Sequence, residues 1–165
     1  MKGRMTYADG DSDTENPNFV KWQEDLNNNI ILKNNTFGAS ITGRIDFIQK
    51  AGGVLDVVTS GNAAYSPGIL VPYDIASRHG STFINGAVDG VALTANTTPT
   101  TLADLSATDL NVAYDYMGTI SEFRMWNDDL GDTGIAEATL PSLEPSLSLT
   151  FDSTSGSYIV EDWTV

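Results

Sequence analysis

The sequence predicts an all-β protein, an antiparallel β-sandwich or jelly roll. Three observations carry that prediction. Apolar residues recur with a period of two, as in Ile41-Thr42-Gly43-Arg44-Ile45-Asp46-Phe47, where they take the odd positions. Turn signals interrupt the chain about every ten residues, the spacing of short strands in sandwiches and barrels. Helical periodicity is scarce, with one or two turns near Gly134–Ala138 as the best candidate.

Residues 1–18 are polar and acidic, with Asp9, Asp11, Asp13 and Glu15 close together and Pro17 ending the run. They read as an extended arm without a core of its own, either a frayed terminus or a strap that orders on a neighbouring subunit. Residues 19–140 form the sandwich. The alternating strand through Phe47 meets a turn at Ala51-Gly52-Gly53, and Val54–Thr59 follows as its hairpin partner. Asp46 and Asp56 are expected as lone charges on a solvent face. Ser60-Gly61-Asn62 and Ser66-Pro67-Gly68 break the chain before Ile69, Val71, Tyr73 and Ile75 alternate along a third strand. Pro72 lacks an N–H, so its donor side is expected at an edge or bulge.

In Thr82-Phe83-Ile84-Asn85-Gly86-Ala87-Val88, Asn85-Gly86 is expected to be a two-residue hairpin turn, since both central positions of that turn need φ > 0. Residues 94–108, rich in Thr, Ala, Pro and Asp, read as a long surface connection. Leu110, Val112 and Tyr114 alternate in the next strand. Gly118–Trp126 reads as another, apolar on both faces and therefore covered on both sides or bulged. Residues 141–165 return to strand: Leu147, Leu149 and Phe151 alternate, Gly156 turns the chain, and Tyr158, Val160 and Asp162 share a face. These last strands close the sandwich or pair with a neighbouring subunit.

Composition excludes several functions. Among 165 residues, 8 are Lys or Arg and 22 are Asp or Glu, for a net charge of −14. Such a charge repels phosphate backbones, so nucleic acid is not an expected partner. No apolar run approaches the roughly 20 residues that span a bilayer, so no membrane insertion is expected. The first residues carry basic side chains but no apolar core behind them, unlike a secretory signal. Asn34-Asn35-Thr36 and Asn96-Thr97-Thr98 match the glycosylation pattern, and without such a signal they read as chance. The chain has no cysteine, hence no disulfide, thiolate zinc site or Cys nucleophile. His79 is the single histidine, so sites needing two imidazoles are out; it reads as a loop or strand-end residue.

Residues 82–90, TFINGAVDG, and 118–130, GTISEFRMWNDDL, resemble a known family. The pattern is apolar-aromatic-apolar-Asn-Gly, then about thirty residues, then Gly-x-Ile-x-x-Phe-x-Met-Trp-x-x-x-Leu, and it is similar to the concanavalin A-like, laminin-G-like jelly roll. GGVLDVVTSGN and GILVPYDIA fit the strands that precede this stretch, so the likeness covers residues 41–139. The C-terminal LSLTFDSTSGSYIVED is similar to such a domain's opening strand, at the opposite end of the chain. Domains of this kind are common in bacteriophage tail and virion-surface proteins.

The resemblance implies a non-enzymatic structural or surface protein of a phage particle, a capsid decoration or tail accessory. It would work by protein–protein contacts with copies of itself and other virion proteins, as a homo-oligomer. Exposed strand edges and the aromatic C-terminus, Tyr158 and Trp163, suit such pairing. The alternative is a glycan-binding adhesin that recognises a host surface. Trp22, Tyr65, Tyr116 and Trp163 are its candidate contacts; the plainer reading makes them core or interface aromatics. A glycoside hydrolase is the third reading. Glucanases of this general fold carry Glu-x-Asp-x-x-Glu, a spacing absent here: Glu122 has no carboxylate partner at i+2 or i+4. No cofactor is expected other than calcium, for which Asp128, Asp129 and Asp132 are the candidate ligands, with a solvated acidic loop as the plainer reading. Asp9, Asp11 and Asp13 begin like a calcium loop, but Thr14 and Val20 stand where that loop needs Gly and Glu.

Overall fold

A computed structural model describes residues 1–141, 147–151 and 158–162. In chain order the strands are β1 (Lys2–Tyr7), β2 (Asn18–Gln23), β3 (Asn29–Asn35), β4 (Arg44–Ala51), β5 (Val54–Thr59), β6 (Gly68–His79), β7 (Ile84–Val88), β8 (Val91–Ala92), β9 (Leu110–Tyr114), β10 (Gly118–Glu122), β11 (Leu147–Phe151) and β12 (Tyr158–Asp162). Among the described residues there is one α-helix, α1 (Gly131–Ala138), after β10, and one turn of 3₁₀ helix at Asp13–Glu15. Two antiparallel five-stranded sheets make the sandwich, ordered β10-β1-β6-β7-β8 and β5-β4-β3-β2-β9. β11 and β12 form a separate antiparallel pair, Leu147 opposite Asp162 and Phe151 opposite Tyr158. The expected turn at Gly156 and the side chain of Trp163 lie outside the described residues.

Period two explains the core. Ile45, Phe47 and Gln49 project inward from β4, Tyr73 and Ile75 from β6, and all are buried. Phe19 packs on Tyr73 with ring centroids 4.8 Å apart, and Tyr116 sits 6.0 Å from Phe19. Each large apolar side chain so buried contributes about 1.5–3 kcal/mol relative to exposure. Gly52 and Gly53, both at positive φ, form the two-residue turn between β4 and β5, with Ala51 opposite Val54, as the sequence predicts. Pro72 lies in the part of β6 that β1 alone pairs; β7 joins only from Ile75 onward. A missing N–H is tolerated there.

Several expectations are corrected. Residues 2–7 are not a coreless arm: β1 lies between β6 and β10, and Met5 and Tyr7 are buried. Pairing on both sides satisfies its backbone, and its apolar positions share one face. Asn85-Gly86 is not a turn but the middle of β7, with both residues buried. Asp89-Gly90 makes the turn into β8, with φ of 47° and 84°. A Cβ at Gly86 would stand 2.2 Å from the Phe47 ring, so this glycine makes room for a core aromatic. β10 ends at Glu122, where its pairing with β1 ends opposite Lys2. It is an edge strand with largely exposed faces, and the register shift falls in its partner, between Lys2 and Gly3. Asp46 is buried against Arg44 (2.6 Å) and Asn35 (2.6 Å). Asp56 accepts hydrogen bonds from the Asn96 side chain and the Thr100 N–H. Neither is a lone charge facing solvent.

Candidate functional site

The 94–108 connection closes one end of the sandwich. Gln49, fully buried on β4, donates from Nε2 to the carbonyls of Gly80 (3.0 Å) and Thr100 (2.9 Å). Leu105 reaches the core from the same connection.

A different region stays open. Between the sheets, where β2 and β3 face the end of β6, lies a cavity of about 460 Å³. Val20, Trp22, Ile30 and Leu32 line one side, and Ile75 and His79 the other. The 123–130 segment also lines it. Phe123, Met125 and Trp126 border the cavity while keeping 38%, 62% and 44% of their surface in solvent. Strand alternation places the walls: Val20 and Trp22 share a face of β2, and His79 follows Tyr73 and Ile75 on the inner face of β6.

His79 ends β6, opposite Ile84. The residue keeps some exposed surface, but both ring nitrogens are enclosed and take no hydrogen bond from the described residues. Burial pulls its pKa down to about 4, so the imidazole is neutral at pH 7.

Beside it, Arg78 holds the 123–132 segment in place. Its guanidinium reaches Asp129 (3.3 Å) and Asp132 (3.2 Å) and stacks 4.0 Å from the Phe83 ring centre. Asp132 also accepts from the buried Asn85 side chain at 2.8 Å. Two of the three carboxylates expected to ligate calcium therefore anchor α1 to β6 and β7, and Asp128 is exposed. Among the described residues no three acidic or histidine side chains come together to hold a metal. Asp13 pairs with Lys33 at 3.2 Å.

Three of the four aromatics expected to meet a sugar are engaged inside the molecule; the fourth, Trp163, lies outside the described residues. Tyr65 is buried and donates to Asp89 Oδ1 at 2.8 Å, and burial with that bond pushes its pKa up. Tyr116 donates to the Arg4 carbonyl at 2.8 Å and lies 3.0 Å from the Tyr73 hydroxyl. Trp22 donates from its indole to the Thr108 carbonyl at 3.3 Å while lining the cavity. Glu122 pairs with Arg124 at 2.9 Å. Asn34 and Thr36 of the first glycosylation pattern are fully buried.

No family model, curated protein or solved structure matches the chain. Sequence reading singled out Trp22 and His79 separately. It did not join them, because only the pairing of β2 in one sheet and β6 in the other sets them across one space. The signal was the parity of Val20 and Trp22, and of Val71 through His79.

Proposed function

We propose that this chain is a non-enzymatic structural or surface module that acts through protein–protein contacts at its open sheet edges, first with copies of itself. The single observation that carries this reading is the β5 edge. Among the described residues β5 pairs with β4 alone, along all six of its residues. Leu55 and Val57 are exposed at 57% and 42%. Val57 is opposite Ile48, and Ile48 opposite Ile31, so an apolar row crosses three strands and ends at unpaired backbone. Such an edge is a template for strand addition unless something covers it. A setting on a phage particle, as capsid decoration or tail accessory, is supported by the resemblance in residues 82–90 and 118–130.

Light scattering of the purified chain tests the reading, beside a Val57→Lys variant. A charge on the open edge is a common block to edge pairing. The expected result is an oligomer that the variant reduces to a monomer with its unfolding transition unchanged. A monomer at every concentration for the unaltered chain would contradict self-assembly through β5.

A further inference from the structure

The open space between Trp22 and His79 measures about 460 Å³, within the roughly 300–1,000 Å³ of small-molecule sites. Its walls suit one class of occupant. Val20, Ile30, Leu32 and Ile75 offer hydrocarbon, and Trp22 offers a ring face with its N–H already bound. The cationic side chains on the wall, Arg78 and Arg124, are each paired with carboxylates. The Met1 ammonium, also at the wall, is bound to the Ile75 carbonyl at 2.7 Å. An anionic ligand would have to displace these contacts, and the chain's net charge of −14 opposes its approach. The carboxylates on its wall, Asp128 and Asp129, stand at the solvent-exposed rim, and Asp129 is already paired with Arg78, so a cation finds no carboxylate deeper in the space.

We propose that this space is a binding cavity for an uncharged, largely apolar small molecule with a hydroxyl or carbonyl group. The ligand lies between Trp22 and Ile30 on one sheet and the His79 end of β6 on the other. A turn of the His79 ring gives it a hydrogen bond, since a neutral imidazole has one donor and one acceptor and neither is used among the described residues. Phe123, Met125 and Trp126, now partly in solvent, cover the ligand and bury their own apolar surface with it.

The test is a fluorescence titration of the full chain with Nile red, a neutral dye, and with anilinonaphthalene sulfonate, an anionic one. Decanol and decanoate serve as competitors. Expected are saturable one-to-one binding of Nile red, displacement by decanol but not by decanoate, and weaker binding of the anionic dye. Ile30→Trp fills the space and weakens Nile red binding at least about tenfold, equivalent to about 1.4 kcal/mol, with an unchanged circular dichroism spectrum. Should Ile30→Trp fail to fold, Val20→Phe fills the same space from β2. The proposal is overturned if Nile red does not saturate, if a folded filling variant binds it as well as the unaltered chain, or if decanoate competes as well as decanol. It is also overturned if the free chain's own Phe123 and Trp126 occupy the space, which a crystal structure would record.

Discussion

Two neighbouring regions of this sandwich are built from the same sheets but packed differently: Phe47 lies opposite Leu32, and Ile84 opposite His79. Around Phe47, Ile45 and Ile84 the interior is filled to the point where Gly86 cannot carry a Cβ. The 94–108 connection is tied to that region by Gln49 and Asp56, and it reaches the other through Leu102 and Thr108. Around Trp22, Ile30 and His79 the strands alternate just as regularly, yet 460 Å³ stays open. The difference lies in the 123–130 segment. There Phe123, Met125 and Trp126 stand partly in solvent instead of filling the space they border. Binary patterning builds two sheets with matching inner faces; whether the gap is filled depends on what closes it.

The largest effect is expected in the filled region. Phe47→Ala should cost about 3–5 kcal/mol, because it removes a fully buried ring from a site that cannot collapse. Chemical denaturation measures this.

Acidification comes next and acts in the open region. His79 has a folded-state pKa of about 4, below its ordinary 6.5. The unfolded chain therefore binds the proton first. The stability linked to the neutral ring is intact above about pH 6.5 and is lost as pH falls toward 4, by roughly 3 kcal/mol at most. His79→Leu should flatten that slope in unfolding curves taken across the window.

Two smaller changes sharpen the contrast because both add atoms. Gly86→Ala should destabilise by about 1–3 kcal/mol, since its Cβ meets the Phe47 ring. A Phe47→Leu background should relieve part of that cost. Ile30→Phe at the cavity wall should instead be neutral or stabilising, by about 0.5–1 kcal/mol. Thermal unfolding of both variants separates a filled interior from an open one.

Much of the fold was legible because it depends on local rules. The Gly52-Gly53 turn, the alternation of β4 and β6, and the site of Pro72 follow from backbone sterics and period two. Where two local signals compete, long-range packing decides. Asn85-Gly86 and Asp89-Gly90 are both good turn sequences. The first is held in a strand because Phe47 needs the space over Gly86 and Asp132 takes the Asn85 amide. β1 was hidden by the acidic run that follows it, although Met5 and Tyr7 already share a parity. The carboxylates at Asp129 and Asp132 read as a cluster in sequence; Arg78, fifty or so residues earlier, turns them into an anchor. The cavity was not legible, since it is a property of two sheets and the segment over them.

The most direct measurement is diffraction from crystals of the free chain held under xenon. Apolar cavities stay dry and bind this gas. The account predicts xenon between Trp22, Ile30 and His79, with Phe123 and Trp126 at the border of the space. A site without xenon, filled by those two side chains, would contradict it and make the two regions alike.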